Sequence, residues 1–216
     1  MIDVDTRILT HNGSMALTEI SLGQMAFDHH DNIIHAQIGT QGLRRGYRVV
    51  LSDESSVVVD TKHEFGGITV ETMLKEREIP YITPTVEPVD FLNNSNVSYQ
   101  DGVTAIFNTD AEHLSNEILY GNLVARQQVF TGMQDGFRDI DGGFIATVFS
   151  QTYAEDIANF CRSLGHDAQV YYTYKGIRYW NIVIKRGPRR IVDIEKVDKR
   201  YMLEISNVVT TEYIAV

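Results

Sequence analysis

His63 is the residue whose neighbours most directly suggest chemistry. It stands just past the hydrophobic run Val57-Val58-Val59, with Asp60 three residues before it. A histidine held beside a polar partner can protonate a leaving amine or polarise a carbonyl. The same placement also suits a half-buried strand-end histidine with no chemical task. His29, His30 and His35, with Asp28 and Asp31, gather a second set of ligand-type side chains. Adjacent residues on a strand point to opposite faces, so a polar hairpin turn is expected there and a metal site is not. Cys161 falls on an apolar helical stripe and reads as core. Lys185-Arg186 and Arg189-Arg190 could touch phosphate but read as a solvated junction between two units.

The elements that must position these residues are mostly short strands. Thr6 to Thr10 alternates polar and apolar residues and runs into His11-Asn12-Gly13-Ser14, with the Asn-Gly pair favoured in hairpins. Tyr47 to Leu51 and Val57 to Val59 flank the polar loop Ser52 to Ser56. Pro80, Pro84 and Pro88, then Asn93-Asn94-Ser95-Asn96, read as an exposed connection. Beyond it the pattern changes to helix, strand, helix, hairpin. Asn122 caps a helix reaching about Met133. A second helix runs from Thr152 to Leu164, with Thr152 and Glu155 as a capping box and Gly165 as its C-terminal cap. Ile157, Phe160, Cys161 and Leu164 form one stripe on it. Strands return at 191–194, 201–205 and 213–216.

Composition narrows the classes. The chain has 216 residues, 29 acidic against 19 basic, for a formal net charge of -10. With 43% hydrophobic and 22% charged residues it is neither a disordered tail nor a fibrous repeat. The opening Met1-Ile2-Asp3-Val4-Asp5 is acidic where a signal peptide is basic, and no apolar run approaches the ~18 residues of a membrane span. The single cysteine makes no internal disulfide. The acidic balance argues against nucleic acid as a partner, because neutralising phosphate needs Lys and Arg.

Asp5-Thr6-Arg7-Ile8-Leu9, followed by the strand that leads to His63, resembles the N-terminal splicing region of an intein. That resemblance puts the family's Cys or Ser nucleophile on Met1, whose thioether cannot begin an acyl shift. His63 matches the histidine of the family's Thr-x-x-His motif, and Asp60 stands where the Thr belongs, a carboxylate expected to raise the proton affinity of His63. Tyr201 to Asn207 and Thr210 to Val216 resemble the family's penultimate strand motif, with Glu204 at its acidic position and Thr211 where a His is often found. Asn-Gly and a terminal Asn should follow in that pattern, and they are absent from the sequence, which stops at Val216. Glu117 to Asp135 and Phe149 to Gly165 resemble one half of a LAGLIDADG homing endonuclease, but its metal-binding acid falls on Phe137.

The resemblance implies a mainly β, horseshoe-like Hint splicing domain, discontinuous over residues 1–70 and 186–216. Residues 71–111 are expected to be a linker or extension and a possible natural split region, and 112–185 a degenerate LAGLIDADG-like insertion. The implied function is autocatalytic self-excision with ligation of the flanking exteins, without cofactor or metal. Met1 and the missing Asn make an inactive or truncated form the expectation. Implied partners are exteins of a host protein and a separate C-terminal intein fragment, with no membrane, in the host cytoplasm. The alternatives are a DNA-binding or homing endonuclease built on the middle unit, and a Hint domain that cleaves without ligating.

Overall fold

Alternating apolar residues become strands along most of the chain. The computed structural model describes residues 1–10, 13–20, 24–28, 32–80, 88–91, 93–140, 143–185, 189–205, 208–210 and 214. In order these form β1 (Ile2–Asp3), β2 (Arg7–Thr10), β3 (Gly13–Ala16), β4 (Met25–Phe27), β5 (Ile33–His35), β6 (Gln41–Leu51), β7 (Ser56–Val59), β8 (Glu64–Phe65) and β9 (Ile68–Thr69). Four helices follow, α1 (Val70–Glu76), α2 (Tyr99–Phe107), α3 (Asn116–Leu119) and α4 (Leu123–Gly136). The remainder is β10 (Arg138–Ile140), β11 (Gly143–Val148), α5 (Gln151–Ser163), β12 (Asp167–Tyr174), β13 (Arg178–Lys185) and β14 (Ile191–Leu203). The chain is mainly β, and divides into one unit of Met1–Glu87 with Pro188–Val216 and a second of Pro88–Gly187.

In the first unit β1, β14, β6 and β7 close into a small barrel, and β3, β2, β4 and β5 form a second sheet. Ile2, Val49, Leu51, Val57, Val59, Ile191 and Leu203 fill its core. Burying such a side chain contributes about 1.5–3 kcal/mol, so this seam holds the first and last strands together. The short helix α1 begins where the Thr69 hydroxyl accepts from the Thr72 N–H at 3.1 Å. It buries Val70 and Met73 against the same core.

In the second unit one antiparallel sheet, ordered β10-β11-β13-β12, carries α5 on one face. Ile157, Phe160 and Cys161 join Ala168, Ile182 and Ile184 in a single core. Helices α2 and α4 meet through two glycines. A Cβ on Gly102 would stand 1.9 Å from the Val129 carbonyl oxygen, and one on Gly132 would stand 1.9 Å from that of Tyr99. Each glycine thus faces the carbonyl three residues before the other, an arrangement only glycine permits.

Four sequence expectations change. Residues 71–111 are not a connection throughout: α1 lies within the first unit and α2 packs on α4 in the second. The α2 segment carries Tyr99, Val103, Ile106 and Phe107 at helical spacing and buries Gly102, Ala105 and Ile106. Helix α5 is capped by Ser150, whose hydroxyl accepts from the Tyr153 N–H at 3.2 Å, rather than by Thr152. The strands expected at 191–194 and 201–205 are parts of one strand, β14, with irregularities between Ile191 and Asp193 and between Lys196 and Lys199. Strand β6 likewise begins at Gln41, six residues before the apolar run that announces it. Both extensions are polar because they pair with each other where little core lies beneath them, and alternation reports burial.

Candidate functional site

The site is assembled where the start of the chain enters the barrel. Ile2 pairs with Val59 and with Leu203, so residue 1 is delivered to the end of β7. There the Asp60 N–H donates to the Met1 carbonyl at 3.0 Å. The Met1 amino group in turn donates to Asp60 Oδ1 at 3.2 Å. Both partners of this ion pair are nearly buried, with side chains 11% and 12% exposed. Residues 60–63 make a tight turn, in which the His63 N–H donates to the Asp60 carbonyl at 3.2 Å, and Val70 N–H donates to the His63 carbonyl. The β8–β9 hairpin and the start of α1 therefore clamp the histidine backbone.

The His63 ring is buried and stands edge-on to Phe65, with centroids 4.8 Å apart. Its Nε2 has no hydrogen-bond partner among the described residues. Burial pushes the pKa down from 6.5 to about 4, the positive N-terminal amino group pushes the same way, and Asp60 opposes them. The expectation that Asp60 would raise the proton affinity is right in sign, but desolvation outweighs it. His63 is consequently neutral at pH 7.

Glu204 follows β14 and is held by a residue far away in sequence. Thr40 donates to Glu204 Oε2 twice, from its backbone N–H at 3.2 Å and its hydroxyl at 2.9 Å. Two backbone bonds flank the contact, Gly39 N–H to the Glu204 carbonyl and Glu204 N–H to the Thr40 carbonyl. A Cβ on Gly39 would lie 2.6 Å from Glu204 Oε2, so a side chain there would displace the carboxylate. These bonds hold the Glu204 pKa below its ordinary value, and the positive charge of the chain start contributes in the same direction. Glu204 and His63 thus both feel the charge at residue 1. Gly39 and Thr40 are invisible as site residues in the sequence, since 164 positions separate Thr40 from Glu204.

The last described segment is anchored beside β2. Leu9 N–H donates to the Val209 carbonyl at 2.7 Å, and Thr210, fully buried, bridges Ile8. Thr211 lies outside the described residues, as do His29, His30 and Asp31. Among the described residues no three His, Cys, Asp or Glu side chains gather as a metal site, and no helix is long and apolar enough to cross a membrane. Cys161 is fully buried, and burial pushes its thiol up to about 12, which suppresses the thiolate. Phe137, at the end of α4, is buried between Phe130 and Phe144.

No family model and no curated protein matches the chain. Among solved structures, the chain is similar to the gp41-1 intein at 8% identity, covering 99% of this chain and 95% of that one, with a TM-score of 0.42. It is also similar to the Msm DnaB1 intein splicing domain bound with zinc, at 20% identity over 30% of this chain and 54% of that one, with a TM-score of 0.26.

Proposed function

We propose that the first unit is a Hint-type protein-splicing domain, an intein, and that residue 1 is its N-terminal splice position. The observation that carries this reading is the convergence of residue 1, Asp60 and His63 in one nearly buried corner. In the proposed reaction a Cys or Ser at residue 1 attacks the carbonyl of the residue before it. The new thioester or ester bond forms as the amide bond breaks, and His63 delivers a proton to the departing nitrogen of residue 1. Folding supplies the acceleration by fixing these atoms together. When residue 1 is joined to a preceding segment, its nitrogen is a neutral amide. One of the two causes that depress the His63 pKa then disappears while Asp60 remains, which makes the protonated donor easier to populate.

Glu204, seated on Thr40, supplies negative charge near the same position and steers the later exchange step. Thr211 is assigned no more than a neighbouring place in that step. Met1 has no ionisable proton, so with this residue the first step does not proceed. The partners are flanking exteins, with a separately supplied C-terminal fragment as a further proposal.

The second unit is proposed as a LAGLIDADG-like remnant that does not cut. In support, α4 has a glycine-faced partner in α2, and the position of the metal-binding acid on α4 is the buried Phe137. The corresponding position five residues after Gly102 is also a phenylalanine, Phe107.

The first step is testable without the C-terminal reaction. A reporter domain fused before a Met1→Cys chain should be released by an added thiol, which attacks the thioester. The double variant Met1→Cys, His63→Ala should release it at least ~100-fold more slowly. Absence of thiol-dependent release from folded Met1→Cys protein would refute the splicing reading.

A further inference from the structure

The two edges of the second unit's sheet are finished differently. Strand β10 is 3 residues long and exposes Arg138 and Asp139, charges that deter pairing with another strand. Strand β12, at the opposite edge, runs for 8 residues and carries no charge from Ala168 to Tyr174. Its backbone groups alternate in direction. At the hairpin end the Lys175 N–H donates to the Ile177 carbonyl at 3.2 Å, which makes Thr173, Tyr171 and Gln169 the residues that bond inward to β13. The Ala168 carbonyl accordingly faces outward, where it accepts from the Arg162 guanidinium at 2.6 Å. Val170, Tyr172 and Tyr174 present their N–H and C=O groups on that same outer side. These groups have no backbone partner among the described residues.

That edge fits its own copy. Two β12 strands set antiparallel about a two-fold axis through the sheet at Tyr172 place Tyr172 against Tyr172, and each Val170 against the copy's Tyr174. Every outward group of these three residues is then paired, and Ala168, whose carbonyl Arg162 already fills, is left out. The charges agree with this register. Asp167 bounds the neutral stretch at its start and Lys175 just past its end, and the pairing brings the copy's Lys175 diagonal to Asp167. The side chains agree as well. Tyr172 and Tyr174 are 58% and 64% exposed, and the Tyr172 ring lies 5.7 Å from that of Trp180. Val170, Tyr172 and Trp180, with Gln151, Glu155 and Arg178, line a hollow of about 390 Å³. Opposed residues share a face, so the copy's Tyr174 projects beside Val170 on the side of this hollow. Its ring meets Val170 and Trp180, and its hydroxyl has the Glu155 carboxylate as an acceptor. A foreign strand would satisfy the backbone, but only this chain carries the tyrosine and the lysine in register for the hollow and for Asp167.

We infer that the outer edge of β12 is a homodimerisation surface, on which a second copy of this chain continues the sheet by antiparallel β12–β12 pairing. Pairing consumes both β12 edges and leaves only the short, charged β10 edges, so assembly stops at the dimer. The contact is small, and the expected dissociation constant is about 10⁻⁵ to 10⁻⁴ M. The inference is independent of the splicing reading.

The test is sedimentation velocity of the full chain from about 10⁻⁶ to 10⁻³ M, with amide hydrogen exchange at the same concentrations. Monomer should pass to dimer, and the Val170, Tyr172 and Tyr174 amides should exchange more slowly as it does. Tyr174→Lys, which charges the edge and empties the hollow, should weaken the dimer at least ~10-fold. Tyr172→Cys faces itself across the axis and should form an intermolecular disulfide on oxidation. Thr131→Cys, exposed on α4, should not, and the buried Cys161 does not compete. Circular dichroism checks that each variant folds. A chain still monomeric at the highest concentration, or a dimer as tight in Tyr174→Lys as in the parent, would overturn the inference. So would a dimer that Tyr172→Cys cross-links no faster than Thr131→Cys, or one lost only on substituting the exposed Phe107. A chain that stays monomeric while an added neutral, extended peptide protects the same amides would show a seat for a foreign strand, and the inference would fail.

Discussion

Arg126 and His63 are both buried, one in each unit, and they meet the cost of burial in opposite ways. Arg126, fully buried at the start of α4, donates to the Val89 carbonyl and to the Ser163 hydroxyl. Its guanidinium lies over the rings of Phe91 and Phe160, 5.0 Å and 5.9 Å from their centroids. An arginine cannot surrender its proton, so the second unit must satisfy the charge permanently. His63 can surrender its proton, and it does: among the described residues its Nε2 has no partner, and burial makes the ring neutral. A fixed charge serves as a fastening, and a titratable group in a dry corner is available for proton transfer. The difference is consistent with the proposed proton-transfer role of His63 in the first unit.

The largest effect expected from breaking this contrast is at Arg126. Arg126→Ala would leave the Val89 carbonyl without its side-chain donor beside a cavity, while the Ser163 hydroxyl keeps its bond to the Phe160 carbonyl. It should cost about 3 to 5 kcal/mol in urea unfolding, equally at pH 5 and pH 7. His63 predicts the opposite pH behaviour. Its folded pKa of about 4 lies below the ordinary 6.5, so between those values the unfolded chain binds a proton that the folded chain does not. Its contribution is complete above pH 6.5 and is lost as pH falls toward 4, a loss of about 3 kcal/mol. His63→Gln should flatten that part of the stability–pH curve; an unchanged curve would show that the ring is not the titrating group.

Acetylating the N-terminus sharpens the comparison with a smaller effect. It removes the positive charge beside His63, so the histidine pKa measured by NMR should rise from about 4, by less than burial depresses it. The smallest effect is at the other carboxylate. Thr40→Val removes the hydroxyl donor to Glu204, and the Glu204 pKa should move back up toward its ordinary value. Glu204 is exposed, so this reads out in its NMR titration and leaves stability almost unchanged.

Several local features were legible in the sequence for plain physical reasons. Asn122 was expected as a cap, and its side chain accepts from the Ala125 N–H at 2.9 Å. Gly165 was expected at a helix end and takes a φ of 86°, a conformation that favours glycine. The α5 stripe, with Cys161 in it, is core. The failures share one cause. Helix α2, the long ends of β6 and β14, and the seat of Glu204 on Thr40 all depend on neighbours distant in the chain. No simple hydrophobic alternation marks the charged stretches Arg44 to Arg48 and Glu195 to Arg200 of those two strands.

By itself, then, the sequence determined many of the short strands, helices α4 and α5 with the apolar stripe of α5, and that a histidine and an aspartate stand three apart at a strand end. Only the tertiary structure decided what those residues are. It brought residue 1 to Asp60 across 59 positions and set Glu204 on Thr40 across 164. It left His63 neutral and opposed arginine to arginine along one strand pair. Protonation and charge pairing depend on solvent exclusion and on the distance between groups, and both are set by long-range packing that a linear pattern does not encode.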